Sequence, residues 1–108
     1  MQPFDIMPIN FSLTDRAAGE INRLTNYLSQ TEGKPMVASL LWNEEYEEAE
    51  RRLVDRGFVL GWYELSECPK DAIQSVNGTE LLFVVTAKQA EKFSDKTIDF
   101  VDGKFRFG

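Results

Sequence analysis

VNGTELLFVVTAKQAEKFSDKTIDFVDGKFRF, from Val76 to Phe107, holds two hairpin signals with a helix start between them. Asn77-Gly78 is the pair best suited to the positive φ angles of a type I′ turn, so AIQSV and TELLFVV are expected to pair across it. Asp102-Gly103 plays the same part for Ile98–Val101 and Lys104–Phe107. Alternation in that last strand puts Phe105 and Phe107 on one face, Lys104 and Arg106 on the other. Between the hairpins, TAKQ (Thr86–Gln89) has capping-box spacing, and a short helix is expected to run on through Phe93.

Working back towards the start, FVLGWYEL (Phe58–Leu65) and PMVASLLW (Pro35–Trp42) read as buried strands, with SECPKD a turn around Pro69. SLTD (Ser12–Asp15) offers a hydroxyl cap and an acid for a positive helix end. Ala17, Ile21, Leu24 and Leu28 then recur at helical spacing, and Gly33 and Pro35 stop the helix. NEEYEEAERRLVDRG (Asn43–Gly57) is expected to be a short surface helix. Asn43 can cap it, Glu47–Arg51 and Glu48–Arg52 are i,i+4 pairs in the favourable order, and Gly57 can close it. Its apolar stripe, Tyr46, Ala49 and Leu53, is narrow. The expected order is helix, strand, helix, three strands, helix, two strands: an α+β fold with a mainly antiparallel (mixed) sheet or sandwich and short helices.

Two parts of the chain resemble the HesB-like family, the A-type iron–sulfur carriers. FSLTDRAAGEINRL (Phe11–Leu24) is similar to that family's opening strand and helix, with its Leu-Thr-x-x-Ala start. Val76–Phe107 follows the order and spacing of its C-terminal half, where a Thr-x-Ile-Asp-Phe-Val strand precedes a Gly-Phe-x-Phe strand. Pro35–Trp42 and Phe58–Leu65 fit its central strands. The resemblance implies a single HesB-like domain over residues 1–108, with a charged helical insertion at 43–56.

In that family the strand matching Lys104–Phe107 runs on into a Cys-Gly-Cys tail, and a third cysteine sits in a Gly-rich loop after the central strand. These thiolates bind iron or an iron–sulfur cluster, usually shared between subunits. Here the sequence reaches Gly108 without such a tail, the loop position holds NEEYEEAERRLVDR, and Cys68 in SECPKD matches none of the three. A cluster needs soft ligands, typically four cysteines or a Cys/His mixture. With one cysteine and no histidine, even a dimer of this sequence offers only two thiols. No cluster, no other cofactor and no metal site are expected.

The remaining candidates are weak on their own chemistry. Cys68 lacks a histidine base and neighbours Glu67, which disfavours the thiolate, so a passive thiol is expected. Glu44, Glu47 and Glu48 would share a helix face and attract a hard cation. Di-iron sites need Glu-x-x-His pairs, however, and the spacing also misses the Ca²⁺ loop pattern, so a solvated face paired to Arg51 and Arg52 is expected. Trp42, Trp62 and Tyr63 are expected to pack in or beside the core; Trp62 and Tyr63 fall on opposite faces of one strand, so a binding role for an exposed one of the two is the alternative. Neither a Gly-rich phosphate loop nor a Ser/His/Asp triad is present.

Charge narrows the partners. With 18 acidic and 12 basic side chains the net charge is −6, and the cations are scattered, which disfavours nucleic acid and membrane surfaces. No apolar run approaches the ~20 residues of a membrane span, and MQPFDIMPINF lacks the basic start of a secretory leader. A single cysteine suits a reducing compartment, so a cytoplasmic protein is expected.

The expected function is a non-catalytic protein-interaction or small-ligand-binding module, homodimeric by analogy with the family. Glu44, Glu47, Glu48, Arg51, Arg52 and Trp62 form its candidate interaction surface. A second reading is an accessory factor in iron–sulfur or iron metabolism that docks on a true carrier. A third is an enzyme using carboxylates, although no spacing nominates a pair.

Overall fold

The computed structural model describes residues 10–83 and 85–108. Val84 of TELLFVV and most of the N-terminal segment read above for a leader lie outside the described residues. A short strand β1 (Phe11–Leu13) leads into helix α1 (Asp15–Glu32). Thr14 caps the helix, its Oγ1 accepting from Ala17 N at 3.2 Å. Gly33 ends it at φ 71, a left-handed conformation free of steric cost only for glycine, and donates its N–H to Ser29 O. Ala17 and Ile21 are fully buried.

Four strands follow as one sheet: β2 (Met36–Glu47), β3 (Arg52–Glu64), β4 (Ile73–Val76) and β5 (Thr79–Phe83), in the spatial order β3-β2-β5-β4. A second sheet joins β1, β6 (Lys96–Val101) and β7 (Lys104–Phe107) in the order β1-β6-β7. Both are mixed, because β2 pairs parallel with β5 and β1 parallel with β6. Both hairpins turn as expected, with Asn77 and Gly78 at φ 48 and 74, and Asp102 and Gly103 at φ 52 and 76. The capping box closes in both directions: Gln89 N donates to Thr86 Oγ1 at 3.2 Å, and Thr86 N to Gln89 Oε1 at 3.1 Å. It starts α2 (Ala87–Ala90), which runs into a tighter turn over Glu91–Phe93. The α+β class is the expected one. Among the described residues, no helix is long and apolar enough to cross a membrane.

The core lies between the two sheets and α1, and Phe93 sits at its centre. Its ring meets Trp42 at 5.5 Å, Phe107 at 5.7 Å, Phe11 at 6.2 Å and Phe83 at 6.3 Å, mostly edge to face. Alternation along β2 sends Ala38 and Leu40 into this core, both fully buried. Val37 points the other way and joins Leu82 and Ala72 in a smaller cluster with Leu65, Cys68 and Ile73.

One expected element is absent. Asn43–Gly57 is not a helix: β2 continues to Glu47, residues 48–51 turn, and β3 returns from Arg52. The charged helical insertion at 43–56 is therefore a β-hairpin. The reason is cooperative. Trp42↔Phe58 and the pairs behind it already align the two strands, so every further residue adds ladder hydrogen bonds without a new loop to close. A lone helix of about this length is marginal in water and would have only its narrow stripe to bury. The pairs Glu47–Arg51 and Glu48–Arg52 give way to a cross-strand contact, Arg56 Nε to Glu45 Oε2 at 2.9 Å. Gly57 is not a helix cap but part of a β-bulge, at φ 101.

Asp99, within Thr97-Ile98-Asp99-Phe100-Val101, ties β6 to the start of α1. It accepts from Arg16 Nε and Nη2 at 2.8 Å each, from Thr14 Oγ1 at 2.6 Å and from Phe100 N at 2.8 Å. The Arg16 bonds first, then the Thr14 bond, hold its carboxyl well below the usual carboxylate range, outweighing partial desolvation. A depressed native pKa stabilises the fold above the unfolded value of about 4, and this contribution is lost as pH falls below it. Asp99→Asn is expected to lower Tm modestly at pH 7, since Arg16 is largely exposed and the pair is screened. The gap from the parent chain should narrow progressively as pH falls below about 4, followed by thermal melts across the acid range.

Candidate functional site

Beyond the core, the β2–β3 hairpin becomes a free arm. Strand β5 accompanies β2 only over Ala38–Leu40, so past Leu41 the ribbon has two strands. Along it Glu44 faces Asp55, Glu45 faces Val54, Tyr46 faces Leu53 and Glu47 faces Arg52. Arg56 is the extra residue of the bulge, since Asn43 pairs with Gly57 and Glu44 with Asp55. At the tip Arg51 takes φ 51, and its N–H donates to Glu48 O at 3.3 Å.

The arm exposes apolar surface inside an acidic frame. Tyr46 is 58% and Leu53 61% exposed, and they are partners in register. Arg56 lies between two acids, 2.9 Å from Glu45 and 3.9 Å from Glu47, and Arg52 lies 3.9 Å from Glu50. Glu44 accepts from Gln89 Nε2 at 3.1 Å, which fastens the arm's base to α2. Among the described residues, Glu44 and Glu48 take part in no ion pair.

The expected surface residues are thus partly brought together. Glu44, Glu47, Glu48, Arg51 and Arg52 all belong to the arm, but Glu44 and Glu47 are three apart on a strand and point to opposite faces. Glu48 and Arg51 are in the turn. Trp62 stands apart from them. It is half-buried against the core, and its Nε1 donates to Thr25 Oγ1 on α1 at 2.9 Å. Its neighbour Tyr63 is the exposed one of the two, at 44%. Sequence reading passed over Tyr46, Leu53, Arg56 and Gln89 as surface residues. The alternation Glu45-Tyr46-Glu47 is a strand signal that points to Tyr46, and Leu53 is its partner in register.

Cys68 lies elsewhere, half-buried in the turn after β3, with its thiol donating to Glu64 O at 3.2 Å. Burial, and secondarily the charge of Glu67, push the thiol's pKa up, away from the thiolate. It borders a cavity of about 550 Å³ walled by Pro35, Leu65 and Ile73, with Lys70 and Glu80 as its charged lining. Among the described residues, no group of three or more His, Cys, Asp and Glu side chains is arranged to hold a metal ion.

No family model matches the chain, and no curated protein matches it. Among solved structures, the crystal structure of Escherichia coli SufA, involved in biosynthesis of iron–sulfur clusters, matches across 97% of this chain and 85% of that one. The identity is 18% and the TM-score 0.51. At that identity the likeness is one of fold, and the chain shares with SufA the α+β architecture expected from the HesB-like resemblance.

Proposed function

We propose that this chain is a non-catalytic HesB-like domain that carries no iron–sulfur cluster and acts as a protein-interaction module through the arm formed by residues 43–57. The observation that carries the reading is the arm itself. It occupies the position where the resemblance places a ligand loop, and its sequence contains no cysteine. Its carboxylates are hard ligands, dispersed over both faces and the turn, and do not suit iron held by sulfide. The one thiol within residues 1–108 is on a different segment, hydrogen-bonded to Glu64 O and held protonated by its surroundings. The donor set therefore does not fit a cluster.

Anaerobic purification followed by iron and acid-labile sulfide analysis tests this. The expected product is colourless, with both elements far below one per chain. A brown chain with stoichiometric sulfide would overturn the reading.

The fold shared with SufA favours one second reading, an accessory that docks on a true carrier. Native mass spectrometry of this chain mixed with SufA separates the two: a mixed complex supports docking, and two unmixed species remove it.

A further inference from the structure

We infer that the arm receives a basic, amphipathic segment of a partner protein, with apolar side chains against Tyr46 and Leu53 and cations against the surrounding glutamates. This rests on reading the arm as an interaction site, and it adds the chemistry of the partner.

Three features select that occupant. The first is the arm's inner face. Alternation puts Trp42, Glu44 and Tyr46 on one side of β2, and Phe58 and Leu53 are the register partners of Trp42 and Tyr46. Trp42 and Phe58 are half-buried against Phe107, at 5.7 and 5.4 Å. One side of the ribbon thus runs from the core to an uncovered apolar pair at the tip, with Glu44 between. The second is stability. A two-stranded ribbon is marginal by itself in water, and a covering segment supplies the burial that the tip lacks. The third is charge. From Glu44 to Arg56 the acids Glu44, Glu45, Glu47, Glu48, Glu50 and Asp55 outnumber Arg51, Arg52 and Arg56 by six to three. Arg56 and Arg52 already neighbour acids, whereas Glu44 and Glu48 take part in no ion pair among the described residues. A second copy would bring the same acidic excess to the contact, and an anionic membrane would repel it. A basic partner is complementary, and it would be steered on by the chain's net charge of −6.

The test is a titration of the whole chain with a synthetic amphipathic lysine/leucine peptide, with a glutamate/leucine peptide of the same pattern as control. Backbone amide shifts locate binding, and calorimetry gives its strength. The lysine/leucine peptide is expected to bind with shifts centred on residues 41–58 and with affinity falling as salt rises. Tyr46→Ser with Leu53→Ser, and separately Glu44→Gln with Glu48→Gln, are each expected to weaken it by about tenfold or more, which is about 1.4 kcal/mol. These positions are outside the core, so circular dichroism should show both double variants folded. Equal binding of the glutamate/leucine peptide would overturn the inference, as would undiminished binding by the folded variants or shifts centred elsewhere. Sedimentation showing self-association through the arm would overturn it too. A chain free of iron and sulfide that ignores the lysine/leucine peptide sinks this inference alone, whereas a brown chain sinks the reading beneath it.

Discussion

Phe93→Ala is expected to remove about 3–5 kcal/mol of unfolding free energy, the range for emptying an aromatic site in a packed core. Phe93 is fully buried, and its ring touches Phe11 on β1, Trp42 on β2, Phe83 on β5 and Phe107 on β7. These strands belong to both sheets, so the cavity would open where the layers meet and has no single flexible neighbour to fill it. Against a total stability of roughly 5–15 kcal/mol for a domain, the variant should be marginal. Urea titration should show the midpoint falling with the slope unchanged. Phe100→Ala offers the contrast, because Phe100 is only half-buried beside Phe105 at 4.9 Å, and its loss should be distinctly smaller.

The second large effect concerns which face of β2 carries the core. Leu40 is fully buried and Leu41 half-buried, although they are adjacent and chemically identical. Leu40→Ala should cost about 2–5 kcal/mol through lost burial and a cavity. Leu41→Ala, on the side away from Phe93, should cost about 1 kcal/mol. Equal losses in paired denaturation curves would mean that the strand's alternation is misassigned, and with it the face of the arm that carries Tyr46.

The elements readable in the sequence were those whose signal resides in the residues that need it. Asn77-Gly78 and Asp102-Gly103 accept positive φ with little cost, so each turn declares itself. Thr14, Gly33 and the Thr86–Gln89 box each satisfy helix-end groups through their own atoms. The parallel pairings of β1 with β6 and β2 with β5 carry no such mark, because the partners are far apart in sequence and only packing brings them together. The arm misled for a related reason. Its i,i+4 charges favour a helix locally, while the opposing signal is the pairing of Leu40 with Leu60 and Trp42 with Phe58, outside the stretch itself. The turn gave no warning either, since Arg51 holds the positive-φ position where a glycine or asparagine would have been the usual sign.

The candidate site was legible as a location and not as a geometry. Glu44, Glu47, Glu48, Arg51 and Arg52 do lie together on a projecting segment. Reading them on a helix, however, turned Tyr46 and Leu53 into a stripe to be buried, when a ribbon leaves both exposed. Trp62 drew attention as an aromatic residue suited to an interface, yet its indole N–H is engaged by Thr25 on the core side of β3. Alternation separates that pair onto opposite faces without choosing between them, and it is Tyr63 that is exposed.

Both the interaction reading and the partner chemistry depend on residues 43–57 forming two paired strands, and NMR of the isotope-labelled chain measures this directly. Cross-strand NOEs joining Tyr46 to Leu53 and Glu45 to Val54, with extended secondary shifts on both sides of a turn at residues 48–51, are the expected result. Sequential i to i+3 connectivities with helical shifts from Asn43 to Arg56 would contradict it.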